Sequence, residues 1–351
     1  MNNGFDERLA RVRALMAKRN LESLVIQKNP NLAWFTGGRV HVPTTIDAAC
    51  LDIVVTLTEV TAITNEIEAP RLIAEELPSE VKVRAIKWWG SRDAELPRGD
   101  HVASDADPEI AAALEILRGS LIALDIERLR QISVDAAVSI GAAMRTVHPT
   151  DREIDVAGMI SKQLWESDLE IVFLGVAGAD RVFKFRHPLP TTKLVGNRVL
   201  ASICAKRKGL IASVTRIVNF GEIEASEIDS YLDLLRVEAA ILDATVVGDS
   251  FSKPIEAASK AYGAHNFDVL EWHKHHQGGP TGYLPRDWPA NLGSTRLIGD
   301  HQPIAWNPTG KGWKVEDTFI TTENGPELLS FDPSWPAIEV AGRLRPGILQ
   351  F

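Results

Sequence analysis

The chain has 351 residues, 45% of them hydrophobic and 24% charged, which fits about two globular domains with cores of their own. A net charge of −9 without a Lys/Arg stripe excludes a phosphate-neutralising surface, so no nucleic acid is expected as a partner. Two cysteines, Cys50 and Cys204, are too few for a disulfide framework, and no apolar run approaches the ~18 residues of a membrane span. With a polar start, Met1-Asn2-Asn3-Gly4-Phe5, that does not read as a signal peptide, a cytoplasmic protein without membrane contact is expected.

Leu9, Val12, Leu15 and Met16 recur at helical spacing, predicting an amphipathic helix over 6–20. A buried strand at 23–26 and a turn at Asn29-Pro30-Asn31 follow. Strands are then predicted at 49–57, 61–63, 81–85 and 121–124, with helices near 70–76, 108–116 and 134–145. Alternating strands and helices make this an α/β N-terminal domain, residues 1–148. Thr150 and Glu153 have capping-box spacing and open a helix to about Glu166. Beyond it lie predicted strands at 171–176, 198–206, 209–220, 272–276, 302–306 and 318–322, with helices at 226–247 and 254–262. Paired strands with intervening helices indicate an α+β second domain, residues 149–330, around a curved antiparallel sheet. A Pro- and Trp-containing tail, 331–351, is expected to pack on the body.

Several short segments in this order resemble one family. They are Asn31-Leu32-Ala33-Trp34-Phe35-Thr36-Gly37-Gly38, the Thr150–Glu153 helix start, Arg186-His187-Pro188, Val214-Thr215-Arg216, His276-Gln277-Gly278-Gly279 and Glu316-Asp317-Thr318. Over residues 6–330 the chain is similar to the creatinase and aminopeptidase-P group of the pita-bread metallopeptidases. The resemblance implies a creatinase-like N-terminal domain and a pita-bread catalytic-type domain. It also implies a homodimer in which the loop Gly37–His41, with Arg39 and His41, closes a neighbouring pocket.

The same resemblance implies two metal ions held by two aspartates, a histidine and two glutamates. Here those positions read Ser202, Ser213, His276 (His275 if the register slips by one), Asn307 and Glu316, and a second histidine of the family is replaced by Tyr283. Neutral amide and hydroxyl oxygens do not offset two divalent ions as carboxylates do, so no metal and no cofactor are expected. Ser202 and Ser213 read as small inward-facing strand residues; neither sits in a Gly-x-Ser-x-Gly elbow that would make it a nucleophile. His273, His275 and His276 look like a metal cluster, but on a strand His276 would face away from the other two.

His187 matches a histidine that metal-independent, creatinase-like members use as acid and base, a role its ordinary pKa suits; the alternative is a histidine that fixes a loop before proline. His276 and Glu316 join it as candidate catalytic groups. Candidate substrate-binding residues are Arg39, His41, Arg216, Tyr283, Arg286, Trp306 and Asn307. Arg286 could bind a carboxylate or be a surface group held by Asp287, and Glu316 could instead be a buried acceptor for Arg216. Trp306 and Tyr283 could wall a planar substrate or belong to the core. Three functions remain open: a metal-independent hydrolase of a small C–N compound, a protein that only binds in the cleft, and a peptidase with one weakly held metal.

Overall fold

The computed structural model describes residues 4–41 and 48–351. Met1–Asn3 of the polar start lie outside the described residues. The chain forms two compact units, Met1–Asp125 and Ile126–Phe351.

In the first unit the predicted opening helix is α1 (Phe5–Lys18), which buries Phe5, Val12 and Met16 at helical spacing. Arg8 lies on the same buried stripe and is neutralised by Asp125 at 2.5 Å. Strand β1 (Ser23–Lys28) runs directly into α2 (Asn29–Thr36), where a turn was expected. Pro30 sits in the first helical turn, where its missing N–H costs nothing, and so starts the helix. Asp105 accepts hydrogen bonds from the backbone N–H of Gln27 and Lys28 and from the Asn31 side chain, which fixes the strand-to-helix turn. Gly37, left-handed at φ 71°, closes α2. The Asn31–Gly38 segment therefore builds a structural corner.

Strands β2 (Ala48–Thr56), β3 (Val60–Asn65), β4 (Lys82–Ile86) and β5 (Val102–Ser104) complete a mixed sheet in the order β4-β3-β2-β1-β5. Between β3 and β4 lies a helical turn, α3 (Ala69–Arg71), continuing into a π turn at Leu72–Glu76; α4 (Pro108–Gly119) follows β5. The strand expected at 121–124 is absent: helix α5 (Ala123–Met144) begins there, because its apolar run continues at helical spacing through Leu129, Ile132 and Ala136, all buried.

The second unit continues with α6 (Glu153–Glu166). The predicted Thr150/Glu153 capping box does not form. The reciprocal pair is Arg152 with Asp155, and Glu153 is buried, accepting from Gly178 N–H, Thr191 and Arg181. Strand β6 (Glu170–Gly178), the helical turn α7 (Arg181–Lys184), and the long hairpin β7 (Arg198–Arg207) and β8 (Leu210–Asn219) come next. Helices α8 (Ala225–Asp243) and α9 (Ser252–Ala264) pack Leu234, Ile241 and Tyr262 into a core with Trp306, Trp313 and Phe319.

The remaining strands are short: β9 (Gly278–Pro280), β10 (Pro303–Trp306), β11 (Thr309–Gly310), β12 (Trp313–Lys314), β13 (Asp317–Ile320) and β14 (Glu327–Leu328). They form a second antiparallel sheet, β14-β13-β10-β9, and the hairpin β11-β12. Residues 331–351 contribute the hairpin β15 (Ala337–Val340) and β16 (Arg343–Pro346), then β17 (Leu349–Gln350), which joins the edge of β8 in the sheet β17-β8-β7-β6. Buried Arg345 ties this tail to Glu238 and Asp317 at 2.6 and 2.9 Å. The strand expected at 272–276 is instead a 3-10 turn, Glu271–Lys274, followed by extended residues.

Candidate functional site

The site is assembled where β8 meets the start of β13 in the second unit. Antiparallel register sets Ser202 opposite Thr215 and Cys204 opposite Ser213 on the β7–β8 hairpin. The Thr215 N–H donates to the Glu316 carbonyl at 2.9 Å, and Ser213 N–H donates to Thr318 Oγ1 at 2.7 Å, joining the two sheets. Lys314 and Glu316 are two residues apart on extended backbone, so their side chains share a face. That face is directed at Ser202.

Glu316 is buried and fully engaged. Its Oε2 accepts from Lys314 Nζ at 2.7 Å, Ser202 Oγ at 3.0 Å and Thr215 Oγ1 at 3.3 Å. Its Oε1 faces Arg286 Nη2 and Asn307 Nδ2, each at 3.4 Å. Lys314, only 5% exposed, also donates to Ser202 Oγ at 2.7 Å. Burial alone would raise the Glu316 pKa, but the Lys314 and Arg286 charges hold it at about 2. Glu316 is therefore a permanent carboxylate paired with two cations. Arg286 is further fixed by the carbonyls of Gly279 and Ala305, at 3.1 and 2.8 Å.

Beside this cluster stand three imidazoles. Arg186 pairs with Glu271 at 2.7 Å, bringing the segment that carries His187 against the one that carries His275 and His276. Gln277 braces the latter, donating to the Trp272 and His275 carbonyls at 3.0 and 2.6 Å while accepting from Tyr262. His187 Nε2 and His275 Nε2 are 3.0 Å apart, and the three ring centroids lie 4.4 to 5.6 Å from one another. Burial, reinforced by Lys314, lowers all three pKa values, His275 to about 2; for His276, at about 4, Arg286 adds more than Lys314 does. At neutral pH these are uncharged imidazoles. Phe173, His187, His276, Arg286, Asn307, Lys314 and Glu316 line one cavity of about 270 Å³, with Val172, Cys204 and Pro285 as its apolar wall.

Residues 8–117 match the Creatinase/Prolidase N-terminal domain. The chain aligns with the prolidase from Pyrococcus horikoshii OT3 with a TM-score of 0.77 at 16% identity, covering 93% of this chain and 98% of that one. Chain and prolidase thus share both units, not the N-terminal domain alone. This is a creatinase/prolidase-fold protein. The dipeptidase PepE from Mycobacterium ulcerans aligns at 18% identity with a TM-score of 0.75, covering 100% of this chain and 99% of its own. The N-terminal domain of FACT complex subunit SPT16 from chickpea aligns at 9% identity, TM-score 0.69, over 94% and 97%. No curated protein sequence matches the chain.

The dinuclear metal centre implied by the creatinase/prolidase resemblance does not fit these residues. Ser202, Ser213 and Asn307 offer no negative charge, both Glu316 oxygens are already in use, and an ammonium lies within hydrogen-bond distance of two of the five positions. Two divalent cations beside Lys314 and Arg286 would meet repulsion in a low-dielectric interior with one carboxylate to offset it.

The other candidates fall in several places. Trp306 is fully buried in the core, its indole N–H donating to Thr245 at 3.1 Å, so it does not wall the cavity. Tyr283 is also buried. Arg216 does not serve Glu316: it pairs with Asp317 at 3.0 Å and with the Ser330 carbonyl, because alternation along the strand sends Asp317 to the opposite side. Arg286 is held by Glu316, not displayed at the surface beside Asp287. Arg39 belongs to the first unit and donates to Glu76; His41 follows it there. The histidine that joins His275 and His276 is His187, not His273, since the 3-10 turn breaks the expected alternation.

Gly278 and Gly279 serve backbone packing. A Cβ on Gly278 would lie 2.2 Å from the Ala305 carbonyl oxygen, and one on Gly279 would lie 2.7 Å from that of Trp288. Sequence reasoning missed Lys314. The available signal was the Lys-Val-Glu spacing, which puts an amine on the same strand face as the retained glutamate.

Proposed function

We propose that this protein is a metal-independent hydrolase of a small amide- or amidine-type C–N compound, with His187 as general acid and base. The observation that carries the reading is Lys314, an ammonium built into the place where the fold's ions would need negative charge. Two wall atoms support an amide-like substrate. Arg286 Nε is a buried donor and Asn307 Oδ1 a buried acceptor, neither with a hydrogen-bond partner among the described residues. Both atoms are enclosed, so a C=O and an N–H of one small molecule would satisfy them as the wall around them yields to the ligand. The neighbours named prolidase and dipeptidase act on the same class of bond, which favours hydrolysis over other chemistry.

In this reading His187 Nε2–H donates to His275 Nε2, leaving the lone pair on His187 Nδ1. Water attacks the electrophilic carbon and His187 takes its proton. The cations Arg286 and Lys314 stabilise the negative charge developing on oxygen. The imidazolium then returns the proton to the leaving nitrogen as the C–N bond breaks. Such proton transfer contributes typically ~10²–10⁴-fold.

One observation favours a second reading, a protein that binds in the cleft without turnover: every oxygen of Glu316 is occupied, so no carboxylate is free to activate water. The test is turnover of small amides, amidines, cyclic amides and Xaa-Pro dipeptides by protein stripped with a strong chelator. Turnover that survives stripping and falls at least ~10²-fold in His187→Ala supports the hydrolase. Saturable binding without turnover supports the second reading. Activity that appears only on adding manganese or cobalt refutes metal independence.

A further inference from the structure

We propose that His187, His275 and His276 form a binding site for one late first-row transition-metal ion, which shares His276 with the metal-ligand positions the resemblance implies and uses none of its carboxylate positions. One nitrogen from each ring lies within 4.8 Å of the other two. An ion at about 2.0–2.1 Å from each imidazole nitrogen holds those nitrogens roughly 3.3 Å apart. The His187–His275 pair is already near that spacing at 3.0 Å. The widest ring separation, 5.6 Å, is between His187 and His276. His187 is exposed and meets the rings of His275 and Phe173, so its rotation brings the three imidazoles together.

A second observation points to a ligand. The Nδ1 atoms of both His275 and His276 are buried and have no hydrogen-bond partner among the described residues. Buried polar nitrogens of native proteins are ordinarily partnered; where His275 Nε2 takes the ion its Nδ1 carries the proton, so the orphan that an ion would satisfy is His276 Nδ1.

The chemistry selects the ion. An all-imidazole donor set suits zinc, cobalt, nickel and copper, and disfavours magnesium, calcium and manganese, which want oxygen. Lys314 and Arg286 with one Glu316 leave a net positive charge nearby, which lowers affinity for every dication equally and so does not alter that order. Three protein ligands leave a fourth position open to water from the cavity that His187 and His276 line. The site goes beyond the hydrolase reading and does not rest on it. The two meet at one ring, because a neutral imidazole has a single lone pair, and an ion that takes it at His187 Nε2 leaves the proton on Nδ1, where the hydrolase reading needs the base.

The experiment is a cobalt(II) titration of the chelator-stripped full chain, read by visible absorption and by elemental analysis after gel filtration. The expected result is one Co²⁺ per chain with the intense d–d bands of a four-coordinate ion. Affinity should fall at least tenfold in His187→Ala, His275→Ala and His276→Ala, stay unchanged in His273→Ala, and be competed by Zn²⁺ but not by Mg²⁺. His187→Ala removes an exposed ring and keeps the test valid if the buried replacements fail to fold. Absence of stoichiometric binding, binding indifferent to His187→Ala, or binding lost in His273→Ala would overturn the proposal.

Discussion

Replacing Lys314 with methionine probes the site most directly, since it removes the charge and keeps most of the stem. Glu316 would remain buried with its carboxylate facing Ser202, Thr215 and Asn307, and Arg286 at 3.4 Å would be its one remaining cation. Removing one partner of a buried pair costs about 3–5 kcal/mol. The single replacements Lys314→Met and Glu316→Gln should each show a loss of that order. The double variant should lose less than their sum, with a coupling of about 2–3 kcal/mol, because neither member of the Lys314–Glu316 pair is left facing the gap, while Arg286 keeps the Gly279 and Ala305 carbonyls as acceptors.

The acid limb gives a second reading of the same pair. The folded Glu316 pKa of about 2 lies below the ordinary 4.5, so its stabilisation is present above about pH 4.5 and is lost as pH falls towards 2. That interval corresponds to about 3 kcal/mol. Urea denaturation followed by tryptophan fluorescence, from pH 7 down to 2, measures both quantities. A Lys314→Met variant within ~1 kcal/mol of the parent, or losses that simply add, would refute the buried-pair argument.

Three further outcomes are expected. Gly278→Ala should destabilise by at least about 1–3 kcal/mol from its φ of 118° alone, with the Ala305 contact adding to the loss; a neutral effect in chemical denaturation would contradict the sheet packing described. In metal-free protein, His275 and His276 keep pKa values below their ordinary 6.5, so the unfolded chain takes up protons that the native state refuses. Stability should therefore fall as pH drops from 6.5 towards 4, and His275→Asn should flatten that slope by up to about 1.4 kcal/mol per pH unit. Arg345→Met leaves Glu238 and Asp317 buried without their shared cation, and thermal unfolding should show a loss of about 3–5 kcal/mol.

Much of the fold was legible because its signals are local. The α1 stripe of Val12 and Met16, the β7–β8 alternation and the long α8 pattern each follow from periodicity in one segment. Where local signals compete, the reading slipped. Asn29-Pro30-Asn31 suits a turn and a helix start equally, and Asp105, seventy-odd residues away, decides between them. Apolar Leu121–Leu124 reads as a strand until the helix it opens is followed further. At the site, the retained Glu316 and the neutral Ser202, Ser213 and Asn307 were visible as residue types. Their meaning was not, because Lys314 acquires its role only when β12 folds over the β7–β8 hairpin. His187 and His275 likewise meet across eighty-odd residues through the Arg186–Glu271 pair.

Lys314 also has a consequence for how the protein comes to be complete. The positive charge that balances Glu316 is supplied by the ribosome as part of the chain, in fixed stoichiometry and at a fixed address. A centre balanced by ions must wait to be loaded, can be loaded with the wrong ion, and can be emptied when the supply runs short. On the metal-independent reading proposed above, the Lys314–Glu316 pair is instead complete as soon as the two sheets close, and its formation follows folding.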